Sequence, residues 1–279
     1  MAIVHARARV CAVAGIEMHP VLLRIGGFSL ETYDVVWLIA LTLAMSWTVR
    51  RFPLYGVDDG EARRTIAWAF IAVLIGAALF SLLRDPRAYI AQPSLILTKG
   101  GLSEVGAFLG AFATVSFLCW RSPSLSFQRL CDVAALPAML TIAVGRWGCF
   151  LNGCCVGVQT DFPLAVHFPR DPAGVMRHAT QLYYSAFAIV CLALALPLER
   201  ALLRAAPADR DRPHHAVLAP LALLLYIAMR FSIDVLRAPI GPEEGMSPGH
   251  VVLAVALPFV CAWLAHSLRA RPRMGDITD

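Results

Sequence analysis

Residues 65–83 read Thr65-Ile-Ala-Trp-Ala-Phe-Ile-Ala-Val-Leu-Ile-Gly-Ala-Ala-Leu-Phe-Ser-Leu-Leu83, without a single charge. A helix rises about 1.5 Å per residue, so a run of this length reaches about 30 Å, the thickness of the hydrocarbon core of a bilayer. The rest of the chain agrees. Of 279 residues, 58% are hydrophobic and 15% charged, and the mean hydropathy is +0.66. Soluble domains carry about 25% charged residues. Six more apolar stretches lie at roughly 33–49, 105–120, 131–148, 180–198, 215–234 and 249–267. The weakest is 131–148, which holds Pro137 and ends near Arg146. The reading is an all-α polytopic membrane protein with about seven transmembrane helices.

Arginines in short loops set the orientation. Arg50, Arg51, Arg63 and Arg64 fall in the first loop, Arg121 and Arg129 in the third, Arg200, Arg204, Arg210 and Arg212 in the fifth, and Arg269, Arg271 and Arg273 in the tail. These alternate loops are read as cytoplasmic, which puts the N-terminus outside and the C-terminus inside. The loop at 84–104 and the longer one at 149–179 are then outer, and the second, rich in Pro, Asp and Gly, is expected to fold as a small cap. Residues 1–18 are read as an N-terminal extension, with Met18 as an alternative start, and 19–279 as a single membrane domain. The net charge of +5 is carried almost wholly by arginine, Lys99 being the only lysine. That balance suits anionic lipid rather than nucleic acid, because no basic cluster is interleaved with aromatics.

The chemistry concentrates in Gly145-Arg-Trp-Gly-Cys-Phe-Leu-Asn-Gly-Cys-Cys-Val-Gly157, at the end of an apolar stretch. An arginine near lipid is costly, so a phosphate partner is the natural reason for Arg146. Asn152 adds a neutral hydrogen-bonding group, and Gly145 allows backbone or headgroup to come close. An interfacial anchor is the other reading of Arg146. Tyr226, Arg230, Asp234 and Arg237 follow at i, i+4, i+8 and i+11, which predicts one polar helix face. A mutual Arg230–Asp234 pair is the structural alternative. His178 and Gln181 open the fifth span one turn apart and could both meet a headgroup. Equally, His178 or Thr180 caps that helix while Tyr183 and Tyr184 form an interfacial belt. Ser103 is a plausible cap or polar contact at the start of the third span, after Gly100 and Gly101; Gly245 to His250 does the same before the seventh.

Cys119, Cys131, Cys191 and Cys261 lie in or beside apolar runs and read as small core hydrophobes. Cys149, Cys154 and Cys155 admit a disulfide or a reactive thiol beside Arg146. Adjacent cysteines seldom chelate one zinc and no Cys-x-x-Cys occurs, so no metal is expected.

Taken in order, Tyr33, Gly100-Gly101-Leu102-Ser103, the Gly145–Gly157 block, His178 to Tyr183, Tyr226 with Arg230, and Met246-Ser247-Pro248-Gly249 resemble the motif series of the prolipoprotein diacylglyceryl transferase family. The similarity runs from about His19 to His266, and Gly-Arg-x-Gly-x-Phe-x-Asn is its specific element. The resemblance implies a multi-pass enzyme of the bacterial inner membrane. It would move the diacylglyceryl group of phosphatidylglycerol to the lipobox cysteine thiol of a prolipoprotein signal peptide, forming a thioether and releasing glycerol 1-phosphate. Arg146 and Arg230 would hold the phosphate, with Asp234 and His178 as further catalytic residues. Tyr33, Asn152 and Tyr226 would line the lipid cavity, joined by Ser103, Gly145, Gln181 and Arg237 from the residue-level reading. The implied partners are phosphatidylglycerol, the prolipoprotein and membrane lipid; neither cofactor nor metal is implied.

This chain departs from the family pattern at several positions. Val105 stands at the usual histidine, Cys149 at a motif asparagine and Cys154 at a motif glutamate. Tyr184 and Ala77 replace a glutamate and an arginine, and Asp234 replaces a glutamate. The phosphate-binding arginines remain while the usual proton acceptor does not, which leaves Glu104, His178 or Asp234 for the base. Two other readings stay open: a paralogue transferring a lipid or glycerophosphate group to another acceptor, and a non-catalytic phospholipid-binding membrane protein.

Overall fold

A computed structural model describes residues 18, 20–25, 28–91, 103–122, 125–205, 216–238 and 248–269. Residues 1–17, Gly100–Leu102 and Gly245–Ser247, which the sequence reading singled out, lie outside the described residues. A two-stranded antiparallel hairpin, β1 (Val21–Ile25) and β2 (Phe28–Glu31), comes first. Among the described residues eight α-helices follow: α1 (Thr32–Arg51), α2 (Asp59–Arg84), the short α3 (Pro86–Ala91), α4 (Glu104–Arg121), α5 (Phe127–Leu151), α6 (Thr180–Ala205), α7 (Leu218–Asp234) and α8 (Pro248–Arg269).

Each of the seven apolar stretches becomes one of the longer helices. Among the described residues five spans, Thr32–Tyr55, Asp59–Leu83, Phe127–Leu151, Thr180–Arg204 and His250–Arg269, are long and apolar enough to cross a membrane, and Gly106–Arg121 is a shorter apolar helix. Their outward faces are apolar: Trp120, Phe259, Leu194 and Leu83 are all exposed. In water such surfaces would drive association; in lipid they are the solvent-facing side. The protein is an all-α polytopic membrane protein. Internal Pro137, Pro197 and Pro258 are tolerated in α5, α6 and α8, as is usual where neighbouring groups take up freed carbonyls. The carbonyl freed by Pro137 is that of Val133, and it accepts from Arg51 Nε at 2.9 Å.

The chain gathers into two compact units. The first holds residues 1–44, 136–197 and 221–261; the second holds 45–135, 198–220 and 262–279. In the second, α2 and α4 pack backbone to backbone through Gly76, Gly106 and Gly110. A Cβ on Gly106 would strike Gly76 O, and one on Gly110 would strike Ala72 O. This is small-residue packing, the way helices associate without a hydrophobic driving force. Asp58 caps α2 by accepting from Gly60 N at 2.9 Å.

The second unit also corrects the arginine count. Arg51 and Arg129, read as loop charges, lie within α1 and α5 and are buried. Arg51 donates through Nη1 to Glu199 Oε2 at 2.7 Å, through Nε to Val133 O at 2.9 Å and through Nη2 to Asp132 O at 3.1 Å. Tyr55 Oη donates to the other Glu199 oxygen at 2.6 Å. A buried charge needs such a full set of partners.

Candidate active site

The first unit carries the Gly145–Gly157 block. Its geometry begins with two glycines on α5. A Cβ on Gly145 would lie 3.0 Å from the Trp37 ring, and one on Gly148 would lie 3.1 Å from Val36 Cβ and 3.2 Å from Tyr33 O. Here α1 and α5 come together, with the Tyr33 and Trp37 rings in tilted contact, centroids 6.1 Å apart, on the α1 side. On the α6 side, Trp147 Nε1 donates to Ser185 Oγ at 3.1 Å, and Ser185 donates on to Ala143 O at 2.6 Å. Arg146, between the two, is thereby aimed.

Its guanidinium lies 4.1 Å above the centre of the Tyr184 ring, and Arg230 Cζ lies 5.9 Å from the same centre. Two cations thus share one aromatic face system. The Tyr184 hydroxyl donates to Asp234 Oδ1. Asp234 Oδ2 meets Arg230 Nε at 3.2 Å and His250 Nε2 at 3.0 Å. Tyr226 packs with Tyr184, Met229 and Ile233 beside this cluster. One of the two sequence alternatives put Tyr184 in an interfacial belt; it is instead 1% exposed and sits at the centre. His250 was noted only as part of a helix start. The available signal was its position one turn into α8, next to the glycine of the Met-Ser-Pro-Gly run.

The predicted single face of α7 is cut short. The helix ends at Asp234, and Arg237 follows in a turn, its N–H on Asp234 O at 3.0 Å. A strand-like pairing fixes it there: Val158 N donates to Leu236 O at 2.8 Å and Ala238 N to Val156 O at 3.0 Å. Gly157 is obligatory at this crossing, because a Cβ would lie 2.6 Å from His178 Cβ. The 149–179 loop is a folded segment, with Phe168 buried on Phe150 and Ala179. Arg177 is bound to both Asp171 oxygens at 2.8–2.9 Å.

After α5 the chain turns sharply. Gly153 has φ 63° and Cys155 φ 60°, the one positive φ among described non-glycine residues. Thr180 Oγ1 donates to Cys155 O at 2.7 Å and Gln181 Nε2 to Cys154 O at 2.5 Å, so the first residues of α6 hold the turn. The turn collects three thiols. Cys149, Cys154 and Cys155 place their sulfurs within 4.8 Å of one another, and none is in a disulfide. Hydrogen bonds from Cys149 and Cys154, then the charges of Arg237 and Arg146, hold the Cys155 thiol well below the ordinary thiol range. Two acceptors are buried without a hydrogen-bond partner among the described residues, Asn152 Oδ1 and Gln181 Oε1. Unmet buried acceptors cost about 1–3 kcal/mol each, and donors from a ligand relieve that cost.

The family model of prolipoprotein diacylglyceryl transferase matches residues 20–267. The chain belongs to this family. A phosphatidylglycerol–prolipoprotein diacylglyceryl transferase of Pseudomonas savastanoi pv. phaseolicola is 31% identical over 264 residues, covering 90% of this chain and 94% of its own. Proteins of the same name from Pseudomonas fluorescens (strain Pf0-1) and Pseudomonas putida (strain F1) are 32% identical over 230 and 232 residues. Each alignment covers 80% of this chain, and 81% and 82% of those proteins.

Of the residues that the transferase resemblance and the chain itself pointed to, Tyr33, Gly145, Arg146, Asn152, His178, Gln181, Tyr226, Arg230, Asp234 and Arg237 all lie in the first unit. Arg146, Arg230 and Asp234 meet through Tyr184. His178 has Nδ1 3.1 Å from the Tyr183 hydroxyl and its ring against Phe162. Ser103 lies in the second unit, where its Oγ accepts from Gly106 N at 3.4 Å as the N-cap of α4 and its N–H donates to Ala77 O. Val105 follows on that same helix.

Proposed function

We propose that the chain transfers the diacylglyceryl group of phosphatidylglycerol to the lipobox cysteine of a prolipoprotein, in the bacterial inner membrane, with the Gly145–Gly157 turn toward the outer face. The observation that carries this reading is the pair of guanidiniums, Arg146 and Arg230, flanking Tyr184 beside the Asp234 carboxylate. Two guanidiniums brought to one aromatic ring suit a phosphate diester, whose oxygens arginine's planar fork matches. The relatives' names, which specify phosphatidylglycerol and prolipoprotein, support the same substrates.

In this reading the acceptor sulfur attacks the glyceryl carbon that bears the phosphate. The C–S bond forms, the C–O bond breaks, and glycerol 1-phosphate leaves with the electron pair on oxygen. Arg146 and Arg230 stabilise the charge that develops there. Asp234 positions Arg230 and Tyr184 rather than taking a proton. Asn152 and Gln181 offer their unmet acceptors to the glycerol hydroxyls. His178, Tyr33, Tyr226 and Arg237 border the lipid, and Gly145 leaves room for it. The arginines do not supply activation of the acceptor thiol, which near pKa 8.5 is mostly protonated at neutral pH.

The test is transfer from phosphatidylglycerol to a fluorescent lipobox peptide by the purified protein. Conversion that disappears in Arg146→Ala supports the reading. Absence of conversion in a preparation that still binds phosphatidylglycerol overturns it.

A further inference from the structure

Adjacent cysteines seldom chelate one zinc, yet here the backbone turns Cys154 and Cys155 toward Cys149. In extended chain, successive side chains alternate between faces; at Cys155 the left-handed φ of 60° reverses the alternation. A non-glycine residue in that region is strained and persists where the surroundings over-determine it. Here Gly153, Thr180 and Gln181 do so, with Cys154 N bonded to Cys149 O at 3.1 Å. The result of that strain is three sulfurs within 4.8 Å.

We propose that Cys149, Cys154 and Cys155 bind one zinc(II) ion whose fourth position receives the acceptor thiol; the second half of this statement rests on the transferase reading above. Tetrahedral zinc–sulfur bonds of about 2.3 Å set sulfurs about 3.8 Å apart, so the cluster closes on the ion by about 1 Å or less. Three thiolates and one zinc leave a single negative charge, and Arg146 and Arg237 are the cations that act on Cys155. Three protein ligands with one open position is the pattern of catalytic rather than structural zinc.

The chemistry fills the gap left by the arginines. A thiol that coordinates zinc loses its proton outright, here to water. The bound thiolate attacks the glyceryl carbon, the C–S bond forms and the C–O bond to phosphate breaks. The electron pair leaves on the phosphate oxygen, and zinc keeps its oxidation state. Two positions where the family pattern has asparagine and glutamate thus become, with Cys155, an alternative way to present a thiolate.

The experiment is metal analysis of the full chain purified in detergent, followed by cobalt(II) substitution. About one zinc per chain is expected. Cys149→Ser, Cys154→Ser and Cys155→Ser should each lower zinc affinity by more than about 10-fold, with thermal unfolding unchanged as the check on folding. A lipobox peptide, without lipid, should shift the cobalt visible bands, and its cysteine-to-serine version should not. Absence of stoichiometric zinc, copper in its place, a native disulfide among the three cysteines, or no shift with the thiol peptide each overturns the proposal. The two readings fail separately. Arg146-dependent transfer that persists after complete chelation sinks the metal alone. A zinc site that captures the thiol peptide without any transfer from phosphatidylglycerol leaves the metal and sinks the lipid reaction.

Discussion

Arg51 and Arg230 are both buried arginines on apolar helices, yet they are held in opposite ways. Arg51 gives its donors to Glu199, Val133 O and Asp132 O, and Glu199 is further bound by Tyr55. Its charge is met inside the protein by the Glu199 carboxylate. Arg230 shares a single carboxylate with Tyr184 and His250, and shares the Tyr184 ring with Arg146. Burial is nearly the same, 2% against 8% exposed, so burial does not separate a structural arginine from one that binds an anion. The arrangement of partners does. Arg51 is enclosed by protein acceptors, whereas Arg146 and Arg230 meet on one aromatic ring beside Asp234, an arrangement suited to a phosphate.

The largest effects should break this comparison cleanly. Arg146→Ala and Arg230→Ala are expected to cut lipid transfer by at least about 10²-fold, the usual loss when one donor to a developing anion is removed. Their thermal unfolding should stay close to wild type. Arg51→Ala leaves Glu199 buried and unpaired, at a cost of about 3–5 kcal/mol, so its folded yield and unfolding temperature should fall together with activity. Tryptophan fluorescence on heating, read beside the transfer assay, separates the two. An Arg51→Ala protein that folds normally but is inactive would erase the distinction.

Next in size is Asp234→Asn. It removes the charge that holds Arg230 and His250 while keeping the shape. Loss of charged hydrogen bonds worth about 2 kcal/mol corresponds to roughly 30-fold in rate. Glu199→Gln in the second unit should act on stability instead, because its partners are structural.

The same contrast can be sharpened with glycines. Gly145→Val presses on the Trp37 ring, and Gly110→Val presses on Ala72 O. Overpacking of this kind costs about 1–3 kcal/mol in either place. At Gly145 the displaced partner carries the wall around Arg146, so transfer should drop about 10-fold or more with modest loss of stability. At Gly110 the α2–α4 pair should loosen, and thermal unfolding should move more than specific activity.

Much of this was legible in the chain. Each apolar stretch became a helix because a run without charges has one stable solution in lipid, an internally bonded helix. The Gly145–Asn152 core announced itself because arginine and glycines together are unusual at a membrane boundary. Three things were not legible. Periodicity placed Arg237 on α7, but cross-pairing of Val156 and Val158 with Ala238 and Leu236 ends the helix at Asp234. Tyr184 looked like a belt residue because an aromatic near a helix start has no sequence mark for inward or outward. The gathering of three thiols depended on one left-handed residue, Cys155, a non-glycine conformation that composition does not disclose.

The smallest effect tests how the shared ring works. Tyr184→Phe keeps the aromatic face under Arg146 and Arg230 and removes only the hydroxyl that donates to Asp234. One neutral-to-charged hydrogen bond of about 1.5 kcal/mol predicts roughly a 10-fold fall in transfer. Tyr184→Leu removes the ring as well, and with it a cation–π contact of about 1–2 kcal/mol at a desolvated site. If the ring organises the two arginines, the leucine variant falls well below the phenylalanine one, and its deficit appears in the KM for phosphatidylglycerol. If the hydroxyl alone matters, through Asp234, the two variants coincide. Their difference therefore measures whether the anion site is built by the carboxylate or by the aromatic surface on which both guanidiniums rest.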